Sequence, residues 1–154
     1  MATDEEAHLE WRGFDEFPAA RLYEMLRFRQ TIFVVEQASP FPDLDGLDRR
    51  AHHLLLHLKG ALAGYARLIP DPAERRVAIG RVAVALPRRR QGFGRMIMRE
   101  ALARCRRDYP ECPIALSAQS HLVPFYRSFG FRAISTPVLD YGIAHVEMAL
   151  RPAD

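Results

Sequence analysis

The most informative feature of the sequence is Arg89-Arg90-Gln91-Gly92-Phe93-Gly94, because it follows the apolar run 79–84 and opens an amphipathic helix. Its two glycines allow the backbone to approach a ligand closely. The first N–H groups of the following helix, together with its dipole, favour a bound phosphate. An alternative interpretation is a tight turn that needs glycine before a surface helix. The rest of the chain favours the anion site.

The hydrophobic pattern predicts alternating strands and helices around this stretch. Asp15 and Pro18 indicate the start of a helix, with Asp15 as its cap and a stripe that continues to Phe33. The helix after the glycines ends before Pro110, and a short helix follows over 121–129. Alternation predicts strands at residues 51–58, 62–69, 77–84, 113–118, 131–135 and 143–150. These elements predict a mixed α/β sheet.

Length and composition predict one domain. With 154 residues, of which 49% are hydrophobic, the chain can bury one core but not two. We expect a single domain over residues 1–154, with its core over 11–150 and loosely held ends. No apolar run approaches the roughly 18 residues of a membrane span, and the acidic Asp4, Glu5 and Glu6 are unlike a signal peptide. These features predict a cytoplasmic protein with no membrane partner.

The positive charge is almost entirely arginine. The net charge is +3, and Lys59 is the only lysine; arginine favours bidentate recognition of phosphate or carboxylate. The cluster Arg88-Arg89-Arg90 adjoins the glycine stretch, and we expect the cluster Arg104, Arg106 and Arg107 to face solvent. The buried stripe of the same helix would be Phe93, Ile97, Ala101, Leu102 and Cys105. We therefore expect no nucleic-acid partner.

The order of elements and motifs resembles the GNAT superfamily of acyl-CoA N-acyltransferases. The resemblance rests on strand 79–84, R-x-x-G-x-G, a helix, strand 113–118 and Phe125-Tyr126-x-x-Phe129-Gly130-Phe131. Five blocks are similar to its ElaA-like subgroup: Phe33-Val34-Val35-Glu36-Gln37, Asp45-Gly46-x-Asp48, Gly80-Arg81-Val82-Ala83-Val84, Ala118-Gln119-x-His121 and Gly142-Ile143-x-His145-x-x-Met148. The resemblance covers residues 11–148 and implies an α/β GNAT fold.

The resemblance implies acetyl transfer from acetyl-CoA to a primary amine of a small molecule or peptide, by direct attack in a ternary complex. The pantetheine arm would run beside Val82, Ala83 and Val84, where this strand and strand 113–118 splay apart. The phosphates would contact the glycine stretch and its neighbours, namely Arg89, Arg90, Gln91, Gly92, Phe93, Gly94 and Arg95. Acetyl-CoA is thus the expected co-substrate, and no metal is implied.

Acetyl transfer also needs an acid that protonates the departing thiolate. Tyr126 matches the position at which many GNAT enzymes carry that acid. The alternative is that this tyrosine only packs, with one edge of its ring exposed to water.

The general base is less clearly marked. The strand before the glycine stretch offers Arg81 where many GNAT members have a glutamate. Glu36, His121 and His145 are the candidates, and we favour the first two. Each has an alternative role: Glu36 could pair with an arginine, His121 could cap the short helix, and His145 could bond Glu147.

Two arginines on apolar strands predict a bound anion. Arg67 and Arg81 alternate with apolar residues, and they face each other if their hairpin is symmetric about Glu74. Facing cations need an anion between or beside them. It would be internal, from Glu36 or Asp45, or a carboxylate of the acceptor. The predicted acceptor-binding residues are Gln37, Asp45, His52, Arg67, Arg81, Gln119 and His145.

The remaining histidines and acids do not predict a metal site. His53 and His57 point the same way on a strand but lie ~13 Å apart at ~3.3 Å per residue. His52 points to the other face, as a core histidine or a cleft residue. Asp43-x-Asp45-Gly46-x-Asp48 matches part of a calcium loop without its glutamate, so we favour a turn that lines the acceptor site.

Two cysteines and the oligomeric state complete the expectations. Cys105 and Cys112 lack metal-ligand spacing and are expected to be free thiols. A monomer and a homodimer both stay open. A catalytic N-acetyltransferase is the leading hypothesis; the alternatives are an acyl-CoA-binding sensor without turnover and a basic nucleic-acid-binding module.

Overall fold

The structure, a computed structural model, describes residues 6–152. Its strands are β1 (Ala7–Gly13), β2 (His52–Leu58), β3 (Ala61–Asp71), β4 (Arg76–Val84), β5 (Ile114–Gln119), β6 (Arg132–Ala133), β7 (Val138–Asp140) and β8 (Ile143–Leu150). Its α-helices are α1 (Ala19–Gln30), α2 (Phe93–Asp108) and α3 (Val123–Arg127). The acidic residues Asp4 and Glu5, on which part of the signal-peptide argument rests, lie outside the described residues.

The strands form one sheet in the order β1-β2-β3-β4-β5-β8-β6, and β7 also pairs with β8. Strands β4 and β5 run parallel, whereas their neighbours pair antiparallel. The mixed α/β sheet predicted from the sequence is confirmed. In the part of the chain that the structure describes, we find no helix long and apolar enough to cross a bilayer.

Helix α2 covers the back of the sheet. Its predicted buried stripe is confirmed, because Phe93, Ile97, Ala101, Leu102 and Cys105 are all buried. The helix approaches β3 so closely that a Cβ added at Gly64 would lie 2.6 Å from the Ile97 side chain. Both cysteines are free, as predicted.

The prediction that three arginines of α2 face solvent is wrong for one of them. Arg106 and Arg107 are exposed, but Arg104 is half-buried. Its guanidinium lies 4.8 Å from the Trp11 ring centroid and donates to Asp108 at 2.8 Å. Arg104 therefore links helix α2 to strand β1.

The N-terminal end is more ordered than predicted. Residues 7–10, which lie outside the expected core, form β1 together with residues 11–13, and β1 pairs with β2 along its whole length. The Trp11 indole also donates to Glu100 of α2 at 3.0 Å. The alternation of apolar Leu9 and Trp11 with polar Glu10 and Arg12 was the signal in the sequence.

The start and end of the first helix also differ from the prediction. Asp15 does not cap α1, because it lies in a separate 3-10 turn over Phe14–Glu16, and Pro18 occupies the N-cap position. After Gln30 the chain continues as a π-helical segment, Thr31–Glu36, so that Phe33 is outside the α-helix. This segment carries Glu36 toward the front of the sheet.

The front of the sheet is only partly covered. Helix α1 packs on β2 and β3 through a small core of Phe17, Met25, Leu55 and Tyr65. The pairing registers place Ala115, Ser117 and Gln119 of β5 on one face, opposite Ala149, Glu147 and His145 of β8. All of these residues except Ala149 line an open depression, which the π-helical segment after α1 also borders.

Candidate active site

The depression is a cavity of about 790 Å³ between β4, β5 and β8. It exists because β4 and β5 pair at only two positions, Val77 with Ile114 and Ala78 with Ala115, and then diverge. Beyond Ala78, β4 has no strand partner on its β5 side among the described residues. The predicted splay is thus present, and it leaves backbone groups of β4 facing the cavity.

The glycine stretch adjoins the cavity through Arg89, its one residue in the cavity lining, whereas residues 90–95 do not line it. Gly92 is the N-cap of α2 with φ +87°, a left-handed conformation that favours glycine. The first helical N–H that bonds backward is that of Met96, to the Gly92 carbonyl at 3.2 Å. The N–H groups of Phe93, Gly94 and Arg95 therefore lack intrahelical partners. Because the first turn holds no acidic residue, it suits an anion.

A β-bulge shapes the β4 wall. Arg67 pairs with Gly80 and Tyr65 pairs with Ala83, so β4 has one residue more than β3 between these pairs. The expectation that Arg67 faces Arg81 is therefore wrong. Arg81 lies in the bulge at φ +53°, a left-handed conformation that costs a non-glycine residue roughly 1–2 kcal/mol.

The arginines of β3 and β4 belong to an ion-pair cluster that we call the arginine–aspartate network. Its members are Arg29, Asp43, Asp45, Asp48, Arg67 and Arg81. Arg67 donates to both carboxylate oxygens of Asp45, at 2.9 and 2.7 Å, and to Asp48 at 3.1 Å. Arg81 donates to Asp43 at 2.8 Å and lies 3.4 Å from Asp45. Three guanidinium groups thus face three carboxylates.

Arg29 is the member that sequence reasoning missed. Its side chain is fully buried and donates to Asp48 at 2.6 Å and to Asp43 at 3.1 Å. A charged residue within the stripe of α1, four positions after Met25, was the available signal. Asp45 is the internal anion that we expected beside Arg67 and Arg81. Asp43 and Asp48 supply two further carboxylates to these arginines.

The network holds the loop after α1 against the sheet. Burial opposes ionisation of Asp45, but the bonds from Arg67 and the Leu47 amide outweigh it and lower its pKa to about 2. Burial also raises the pKa of Asp48, but the hydrogen bonds from Arg29 and Arg67 lower it by more. The net effect is a lowered pKa. Both carboxylates are therefore charged at neutral pH, and the aspartate turn binds arginines of the chain itself.

Tyr126 lies in α3 and forms part of the cavity wall. Its side chain is 7% exposed and packs edge-on against Phe125 and Phe131. Burial raises the pKa of the Tyr126 phenol to about 12, so it is protonated at neutral pH. Its hydroxyl makes no hydrogen bond to any other residue that the structure describes. The group is thus a buried O–H donor that faces the cavity.

Glu36 meets the glycine stretch across the cavity. Its carboxylate forms an ion pair with Arg89, and Arg89 also donates to the Val84 carbonyl at 2.9 Å. The alternative of an arginine partner for Glu36 is therefore what the structure shows. The pair links the π-helical segment, the end of β4 and the glycine stretch.

The predicted polar residues of β5 and β8 also reach the cavity. Gln119 donates to Gln37 at 3.2 Å, and both line it with His121 and His145. His145 Nδ1 lies 2.8 Å from the Ile143 carbonyl, so the proposed bond to Glu147 is replaced by a backbone contact. His121 lies in the 3-10 turn Ser120–Leu122, and no side-chain cap is found there.

Two predicted acceptor-binding residues, Asp45 and His52, do not line the cavity; Asp45 belongs to the arginine–aspartate network. His52 is at the other end of β2, where its Nε2 is 3.2 Å from the Tyr109 hydroxyl and its Nδ1 is 3.5 Å from Arg104. It does not line the cavity. His52 is half-buried there and belongs to no core cluster, so neither of its two predicted surroundings, core or cleft, is what the structure shows.

These features define a class of protein. A splayed β4–β5 pair and a bulged β4 line one cavity, and a glycine-led helix N-terminus follows Arg89 at its edge. The family described as the acetyltransferase (GNAT) domain matches residues 20–152. The chain belongs to this family, whose members are acyl-CoA-dependent transferases.

Individual relatives agree over nearly the whole chain. It is 36% identical to protein ElaA of Escherichia coli, over 92% of this chain and 95% of that protein. The crystal structure of E. coli ElaA matches with a TM-score of 0.85 over 92% and 99% of the two chains. An acyl-CoA N-acyltransferase from Pseudomonas aeruginosa, 36% identical, matches with a TM-score of 0.87 over 93% and 98%. The ElaA-like resemblance is confirmed.

Proposed function

We propose that the protein transfers the acetyl group of acetyl-CoA to a primary amine of a small molecule or peptide, by direct attack in a ternary complex. The observation that carries the proposal is the cavity that extends from Arg89, the first residue of the glycine stretch, past the free edge of β4 to Tyr126. The similar P. aeruginosa protein, described as an acyl-CoA N-acyltransferase, supports an acyl-CoA co-substrate.

The residues present fit that co-substrate. Gly92 is left-handed and has open space around its Cα, so the backbone can approach a pyrophosphate closely. Gln91 to Arg95 would bind it through free N–H groups, and Arg89 and Arg90 would add positive charge. Val82 to Val84 would bond the pantetheine arm along the free edge of β4.

Acetyl-CoA, when bound, supplies a thioester whose carbonyl carbon an amine can attack. The attack forms a carbon–nitrogen bond and breaks the carbon–sulfur bond. A base in the cavity accepts the proton that the amine nitrogen loses. The Tyr126 hydroxyl donates a proton to the departing sulfur, a role that a buried phenol with a pKa near 12 can serve because it keeps its proton at neutral pH.

Release of the free CoA thiol, followed with acetyl-CoA and a panel of primary amines, tests the proposal. We expect release that depends on at least one amine and saturates with it. Binding of acetyl-CoA without thiol release from any amine would instead support an acyl-CoA sensor. The sequence feature that favours this second function is β4 itself, which carries Arg81 and no carboxylate.

A further inference from the structure

We infer that His145 is the general base of the proposed amine acetylation, with its Nε2 accepting the proton of the attacking amine in the cavity. The inference rests on the proposed function and gives it a residue that the sequence alone left among three candidates. It is carried by a contact that fixes which nitrogen of the ring is free.

The contact is between His145 Nδ1 and the Ile143 carbonyl oxygen, 2.8 Å apart. A carbonyl oxygen only accepts hydrogen bonds, so Nδ1 must carry the hydrogen. A neutral imidazole has one N–H, and its second nitrogen, here Nε2, then holds a lone pair. The backbone of β8 therefore selects the tautomer in which Nε2 is the basic atom.

The position of His145 places that atom at the site. The residue lies on the front of β8, paired with Gln119 of β5 on one side and with Val138 of β7 on the other. Its half-buried side chain lines the same cavity as Tyr126. Because β8 is paired on both edges here, the ring is held on a rigid element.

His53 shows what a histidine without catalytic capacity looks like in this fold. It is fully buried, its Nε2 is 2.9 Å from the Asp48 carbonyl, and its Nδ1 contacts the Tyr65 hydroxyl. Both ring nitrogens are used. In the described part of the chain, His145 Nε2 has no such partner, and it is open to a ligand.

The other two candidates are less well prepared. The Glu36 carboxylate is engaged by Arg89, which also bonds β4. Freeing it requires breaking that ion pair. His121 is exposed in a 3-10 turn, and none of the described residues bonds its ring, so its tautomer is not fixed.

The charged and titratable groups around His145 come from three elements. Glu147 lies two residues along β8, Asp140 ends β7 with Tyr141 in the turn after it, and His121 follows β5. The facing residues of β5, Ser117 and Gln119, are neutral. Glu147 and Asp140 are thus the two carboxylates on this wall of the cavity.

The proton balance is simple. One proton moves from the amine nitrogen to His145 Nε2 as the new carbon–nitrogen bond forms. A second proton moves from the Tyr126 hydroxyl to the sulfur as the carbon–sulfur bond breaks. After product release, the imidazolium returns its proton to solvent and the phenolate regains one, so that no further reactant is needed.

The decisive variant is His145→Asn. An asparagine amide can still donate from the Nδ position to the Ile143 carbonyl, but it has no basic nitrogen. We expect kcat/KM for the acceptor to fall roughly 10²- to 10⁴-fold, the scale of a lost general base. The acetyl-CoA thermal shift should stay that of the wild type. His8→Asn, at an exposed position of β1, is the matched control and should retain wild-type turnover.

Two further readouts separate catalysis from structure. The acid limb of the kcat/KM profile should disappear in His145→Asn. Added imidazole should partly restore turnover to His145→Ala, which a merely structural role would not allow. His145→Asn with the wild-type rate and the wild-type acid limb would overturn the inference while leaving the transferase standing. A wild-type protein that releases no CoA with any amine would overturn both.

Discussion

The arginine–aspartate network and the cavity lie side by side on the front of the sheet, and they differ in how their polar groups are used. In the network, Arg29 and Arg67 are buried and each donates to two aspartates. In the cavity, Tyr126 and His145 each keep one polar atom without a partner among the described residues. The buried charged groups of the network are occupied, whereas Tyr126 and His145 each leave one polar atom for a ligand.

The difference follows from the cost of burial. A buried charge without a counter-charge is expensive, so the fold surrounds each guanidinium with carboxylates. A neutral phenol or imidazole can face a cavity at much smaller cost. Catalytic capacity is therefore better sought among partly buried neutral donors and acceptors than among buried ions.

The largest expected effect comes from breaking the network at its most buried member. Arg29→Met should lower the free energy of unfolding by about 3–5 kcal/mol, because it leaves Asp43 and Asp48 buried with one guanidinium fewer. Urea unfolding measures the loss. Arg27→Met, two residues earlier on the exposed side of α1, should stay within about 0.5 kcal/mol of the wild type. Equal stabilities of the two variants would show that the network is not what holds this face together.

Gly92→Asp tests whether the glycine stretch, which adjoins the cavity through Arg89, binds the pyrophosphate. A ligand specific to the native state stabilises it by about 2.7 kcal/mol at 100 times its dissociation constant. The substitution places a negative charge where the pyrophosphate is proposed to bind, and it should remove the thermal shift caused by acetyl-CoA. Gly60→Asp has a similar φ, +81° against +87°, in an exposed hairpin and controls for backbone strain. A full shift in Gly92→Asp would exclude this loop as the phosphate site.

Tyr126→Phe sharpens the comparison within the cavity. It keeps the ring and its packing on Phe125 and Phe131 and removes only the hydroxyl. Turnover should fall roughly 10²-fold, while the acetyl-CoA thermal shift and the unfolding free energy change little. Tyr23→Phe, on an exposed residue of α1, is the control. Unchanged turnover, with chemistry shown to be rate-limiting, would mean that water protonates the thiolate.

Much of the fold could be predicted from the sequence because the signals are local. The alternation of β2, β3 and β8, the stripe of α2 and the left-handed glycine at residue 92 are each visible within a few residues. Tyr126 of the cavity wall could also be predicted, because it belongs to the local motif Phe125-Tyr126-x-x-Phe129-Gly130-Phe131. The acid role of that tyrosine and the roles of the other site residues stay predictions.

The network could not be predicted in full because it depends on long-range geometry. Arg29 meets Asp43 across 14 positions and Arg81 meets Asp43 across 38, and no local pattern encodes such pairs. The bulge that displaces Arg81 from Arg67 is a register change of one residue. Whether the register of β4 against β3 shifts at this point depends on the packing of the whole sheet and not on the local sequence.

Arg81 belongs to both regions, since it pairs with Asp43 and also lines the cavity with 21% of its side chain exposed. Its ion pairs offset the strain of its left-handed backbone. The predicted binding of an acceptor carboxylate by Arg67 and Arg81 is the competing role.

The unfolding free energy of Arg81→Gln therefore tests most directly whether Arg81 stabilises the arginine–aspartate network or binds an acceptor carboxylate. The account predicts a loss of about 1.5–3 kcal/mol, the scale of hydrogen bonds to a charged group, because Asp43 loses a partner. An unfolding free energy equal to that of the wild type would contradict it.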